Sequence, residues 1–117
     1  MNYQDLDCWK LSVDLVIDVY KLTSDFPMNE KFNLVSQINR AAVSIPSNIA
    51  EGSARQSDKE MIQFLHVALG SAAELETQLI IAKKLGYKVD TNIYDKIVDV
   101  KKVILGLVRY LKDKKDK

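Results

Sequence analysis

The sequence predicts an all-α fold, an antiparallel up-down-up-down four-helix bundle. Three observations carry this. Four long stretches repeat apolar residues at steps of three and four, no stretch shows the strict alternation of a half-buried strand, and the connections between stretches are short. The chain has 117 residues, 47% hydrophobic and 28% charged. That balance suits one domain over 1–117 with a core that needs no disulfide or metal to hold it.

In the first stretch Asp7, Lys10, Asp14, Asp18, Lys21 and Asp25 recur at helical spacing. Trp9, Leu11, Val13, Leu15, Val16, Ile17, Val19, Tyr20 and Leu22 fill the rest of the circumference. Such a helix has one narrow wet stripe, and its apolar sector is wider than one neighbour can cover, which points to oligomerisation. Phe26-Pro27 ends it, because proline biases the residue before it away from helical angles.

A second helix is expected from Asn29 as N-cap, with Glu30 in the first turn, to about Gly52. Leu34 or Val35, Ile38, Ala42, Ile45 and Ile49 mark its buried side, and Ala41, Ala42 and Ala50 permit close approach of a neighbour. Pro46 lies inside it, so the sequence predicts a kink there and a freed Ala42 carbonyl. Ser57-Asp58-Lys59-Glu60 spells a capping box that opens a third helix. Met61, Leu65, Ala68, Ala72, Leu75, Leu79 and Ala82 line it until Gly86 offers a left-handed stop. Asp90 or Thr91 caps a fourth, with Ile93, Ile97, Val100, Ile104, Leu107 and Leu111 inward, and 112–117 read as a charged, frayed tail.

Catalytic and metal chemistry find little to work with. Di-iron bundles use Glu-x-x-His pairs, but the single histidine, His66, has Gln63 three residues before it. Cys8, the lone cysteine, sits in an apolar helix and reads as a packed thiol. No glycine-rich phosphate loop or Gly-x-Ser-x-Gly elbow occurs. The reading is therefore of a non-enzyme without a cofactor or metal. The N-terminus lacks a secretory pattern and no segment offers about 18 uninterrupted apolar residues, so a cytoplasmic protein without membrane contact is expected.

Two sets of polar residues remain. On helix two Asn33, Gln37, Arg40, Ser44, Asn48, Glu51 and Arg55 share one face, beside Pro46 and Ser47, and helix three offers Glu74 and Gln78 at i,i+4. Arg40, Ser44, Ser47, Asn48, Glu51, Glu74 and Gln78 form the candidate polar cluster. It reads as a solvated face, a network holding the kinked helix, or a ligand or partner site. The second set is basic: Arg55, Lys83, Lys84, Lys88, Lys101, Lys102, Arg109 and Lys112, with Lys114, Lys115 and Lys117 following. Lys and Arg total 17 against 16 Asp and Glu, a formal charge of +1, so no global basic field exists. These residues serve solubility and the helix dipoles, or recur around a symmetric ring to present a basic surface to phosphates.

The early Asp5-Leu6-Asp7-Cys8-Trp9-Lys10 run, the Ser36-to-Gly52 segment SQINRAAVSIPSNIAEG and the Ala68-to-Gln78 segment ALGSAAELETQ together resemble the bacterial 23S rRNA intervening-sequence proteins, over about residues 3 to 110. That name records that some members are encoded inside insertions in 23S rRNA genes. The resemblance implies a four-helix bundle assembled as a ring-shaped homopentamer, as in the similar accessory variability proteins of diversity-generating retroelements. Those relatives are markedly basic and work with a reverse transcriptase and nucleic acid, whereas this chain is nearly neutral. The expected function is a non-enzymatic oligomer binding RNA, DNA or a nucleoprotein partner through the ring surface. The alternative is a protein-interaction scaffold without nucleic-acid contact.

Overall fold

Each of the four apolar periodicities forms a helix. The computed structural model describes residues 2–115. Its helices are α1 (Asp7–Thr23), α2 (Leu34–Ser53), α3 (Asp58–Lys84) and α4 (Asn92–Lys115), with short 3-10 turns at Tyr3–Asp5 and Met28–Glu30 and no strand among the described residues. They form a rod of 52 × 22 × 19 Å. Consecutive helices pack together and α4 closes against α1, whereas the diagonal pairs stay apart. The groove between α1 and α2 therefore lies on the side opposite the groove between α3 and α4.

Local chemistry fixes most helix ends. Ser57 Oγ accepts from the Glu60 amide at 3.2 Å, the N-cap bond of the capping box, and donates to Glu60 Oε1 at 3.1 Å. At the other end of α3, Gly86 takes φ +94, the Tyr87 amide donates to the Ala82 carbonyl and the Gly86 amide to that of Lys83. This is the paired pattern of a Schellman stop. Asp90 opens α4: its Oδ1 accepts from the Asn92 amide at 3.3 Å and its carbonyl from the Ile93 amide at 3.1 Å.

Two boundaries differ from the sequence reading. Asn29 is not an N-cap; Pro27 turns the chain into the Met28–Glu30 3-10 turn, and α2 opens only at Leu34. The reason is tertiary. Glu30 Oε2 accepts a 2.5 Å hydrogen bond from the Tyr87 hydroxyl, and the Tyr87 ring packs 5.3 Å from that of Phe26. At the far end α4 continues through Lys112 to Lys115 in place of a frayed tail from 112; Asp116 and Lys117 lie outside the described residues. Fully buried Leu111 anchors the last turns, and Lys114 Nζ reaches Asp58 Oδ2 at 3.6 Å.

Leu15 and Val19 of α1, Ile38, Ile45 and Ile49 of α2, Leu65, Leu75 and Leu79 of α3, and Ile97, Ile104 and Leu111 of α4 fill the core. Val108 is buried beside the expected Leu107, which packs at the core's edge. The most extensive seam joins α2 and α3, helices whose buried residues include the small Ala41, Ala42, Gly52, Ala68 and Ala72. A Cβ on Gly52 would stand 2.7 Å from the Phe64 Cβ and 2.9 Å from Met61 Sδ. Gly52→Ala is expected to lower unfolding free energy by about 1–3 kcal/mol through overpacking, measured by urea denaturation. Gly70→Ala, where a Cβ meets nothing within 4 Å, is expected to be neutral or mildly stabilising.

Candidate functional site

Helix α2 runs unbroken through Pro46, which is itself buried. Beside it the Asn48 amide donates to the Ser44 carbonyl at 2.8 Å and lies 2.9 Å from Ser44 Oγ. Ser44 Oγ in turn lies 2.8 Å from Ser71 Oγ on α3, which donates to the Val67 carbonyl. Three short polar side chains thus stitch the two helices. Ser71 belongs to this knot and was missed in the sequence, because its partner lies 27 residues away and nothing local marks it.

The other predicted members stand apart. Glu51 pairs with Arg55 at 2.6 Å on the exposed side of α2, and the Arg55 guanidinium lies 4.9 Å above the Phe64 ring. Glu74 accepts from Gln78 Nε2 at 3.3 Å within α3, while Gln78 Oε1 is enclosed without a partner. Ser47 and Arg40 are exposed, and Arg40 lines the outer α1/α2 groove. Of the three cluster interpretations, the structural network describes Ser44 and Asn48 only.

The basic residues disperse along the rod. Arg55 is paired, and Lys101 Nζ reaches Glu76 at 3.3 Å between α4 and α3. Lys88 shares a cleft with Asp18, Asp25 and Asp90. Lys102, Arg109 and Lys112 are exposed along α4. Lys83 and Lys84 sit together on the last turn of α3, bordering a hollow of about 450 Å³ with Ile80 and Tyr94. The Tyr94 hydroxyl is enclosed and unpartnered, and burial, with Glu76 nearby, raises its pKa.

Apolar exposure is concentrated elsewhere. Phe32 and Met28 are 86% and 83% exposed, and Phe32 borders a groove of about 540 Å³ with Tyr20, Val35 and Val43. Val67 and Ile81 on α3, and Leu85 just past its end, are also exposed.

Residues 4–107 match the family described as 23S rRNA-intervening sequence protein. The chain belongs to that family. A crystal structure from Bacteroides thetaiotaomicron, titled a protein of unknown function from the S23 ribosomal protein family, shares the fold with a TM-score of 0.81 at 23% identity. The match covers 93% of this chain and 99% of that one. No curated protein matches the chain.

In this member of the 23S rRNA-intervening sequence family the nucleophile and ligand candidates are isolated. His66 is exposed, and among the described residues no group of His, Cys, Asp and Glu could hold a metal ion. Among the described residues no helix is long and apolar enough to cross a membrane. Cys8 is buried in the first turn of α1, and burial pushes its thiol up to about 11 from an ordinary 9.0. A neutral thiol favoured by folding contributes stability below pH about 9 and loses it as pH rises towards 11. Iodoacetamide at pH 8 is therefore expected to alkylate Cys8 far more slowly in native than in urea-unfolded protein, and the urea midpoint is expected to fall between pH 9 and 11.

Proposed function

We propose that the chain is a non-catalytic building block of a closed homo-oligomer whose assembled surface binds nucleic acid or a nucleoprotein partner. The observation that carries the assembly is the exposed apolar patch of Tyr20, Met28, Phe32 and Val43 at the α1/α2 groove. Such a patch is larger than isolated surface hydrophobes account for, and exposed aromatics are the usual anchors of interfaces. Val67 and Ile81 on α3, with Leu85 just past its end, form a second, unlike set. Two different apolar surfaces on one chain suit head-to-tail contact, which closes into a ring. The homopentamer implied by the family resemblance is such an arrangement.

The reading is non-catalytic because Glu51 and Glu74, the carboxylates nearest the Pro46 segment, are each engaged by the residue four positions on, Arg55 and Gln78. Nucleic-acid binding is supported by Lys83 and Lys84, adjacent at one end of the rod and bridged to no carboxylate among the described residues. A ring repeats this pair once per subunit, so a chain of charge +1 still presents a local basic surface. The competing reading, a protein scaffold without nucleic acid, draws on the pairing of Arg55 and Lys101 with carboxylates, which leaves fewer free cations.

Sedimentation at micromolar concentration is expected to show an oligomer well above the 13.3 kDa monomer. Phe32→Asp is expected to shift it towards monomer with helicity unchanged, since so exposed a residue alters fold stability little. A wild-type monomer would remove the assembly proposal. Mobility shifts with structured RNA are expected at about 50 mM salt and to weaken steeply by about 200 mM. No shift at low salt, or one indifferent to salt, favours the scaffold reading.

A further inference from the structure

The groove between α3 and α4 sets an aromatic ring beside two neighbouring cations that bridge no carboxylate among the described residues. Tyr94, on the first turn of α4, borders it with Ile80, Lys83 and Lys84 of α3, and its volume is about 450 Å³. The Tyr94 hydroxyl is enclosed without a partner, while Tyr94 lines the hollow. Val98, one turn further along α4, extends the exposed apolar floor. The carboxylate on the α3 side, Glu76, is already held by Lys101 at 3.3 Å. Exposed Asp95 and Asp99 follow Tyr94 and Val98 on α4, so the cationic rim of the groove is its α3 side alone, at Lys83 and Lys84.

We infer that this groove is a single-stranded RNA site, in which one unstacked base lies against Tyr94 and Ile80 and the adjoining phosphates rest on Lys83 and Lys84. Sequence-tolerant strand binding combines these two elements, a stacking surface and a cationic rim. A hollow of this size admits a splayed base, whereas bases stacked inside a duplex cannot reach its floor. The groove lies opposite the α1/α2 patch assigned to assembly and borders the Ile81–Leu85 end of the second contact surface. The inference rests on the nucleic-acid reading above and narrows it to a strand type and a place.

Fluorescence anisotropy with a labelled oligouridylate of about 12 nucleotides tests it, in about 50 mM salt, with sedimentation run on every variant. Tyr94→Phe keeps the ring and is expected to bind as wild type; Tyr94→Leu keeps apolar bulk without the π face and is expected to bind about tenfold more weakly. The double substitution K83E/K84E, on exposed positions that do not threaten the fold, is expected to weaken binding further and to reduce the salt slope by about 1.4. Wild-type affinity in both Tyr94→Leu and K83E/K84E overturns the site. So does a wild-type protein that binds duplex RNA but not oligouridylate, which leaves the broader nucleic-acid reading standing. Failure to bind either RNA overturns both.

Discussion

The close approach of α2 and α3 is the constraint on which the rest of the bundle depends. Helix separation is set by the side chains at the crossing, and here Gly52, whose missing Cβ leaves room for Phe64 and Met61, is one of them. Only at close spacing can a pair as short as Ser44 and Ser71 meet at 2.8 Å, while Asn48 braces Ser44 from within α2. The Pro46 segment contributes the Ser44 and Asn48 hydrogen bonds of this seam. Its small and polar residues are what a tight, register-fixed seam requires, since short side chains bonded across a helix pair tolerate little sliding.

What could be read in the sequence divides along the range of the interactions. Ser57 with Glu60 and Gly86 at its left-handed stop act within a few residues, and both were legible. So was the buried face of each helix, because the 3.6-residue period is written in the chain itself. Asn29-Glu30 spelled a helix start equally well, but Glu30 is held by Tyr87, 57 residues away, and the segment becomes a 3-10 turn. The same holds for the last turn of α4, tied to Asp58 by Lys114. In the candidate cluster, helical spacing correctly put Ser44 and Asn48 side by side, yet spacing alone carries no information about which residue of α3 stands opposite. Ser71, not Glu74, occupies that place.

Charge follows a similar logic. A count of 17 basic against 16 acidic residues averages over surfaces that differ sharply. Lys96 and Asp18 meet at 2.7 Å across α4 and α1, Lys101 and Glu76 across α4 and α3, and Arg55 and Glu51 within α2. Exposed pairs of this kind add little stability, typically under about 1 kcal/mol. Lys83 and Lys84 lie outside these bridges as a neighbouring pair. Electrostatic recruitment depends on such local density and not on the total.

The proposed ring also resolves an energetic difficulty in the apolar patch. Burying a side chain such as Phe32 or Met28 stabilises an interface by roughly 1.5–3 kcal/mol, whereas bringing two proteins together costs about 4–15 kcal/mol in lost motion. One small contact centred on these residues would hold a dimer weakly. In a closed ring each subunit makes two contacts, one through the α1/α2 patch and one through the exposed α3 residues, and removing a subunit breaks both while its loss of freedom is counted only once. Modest patches that are insufficient singly then support a stable assembly. On this account the exposed hydrophobes of α1, the α1–α2 connection and α3 are where the family's bundle reaches beyond its own core.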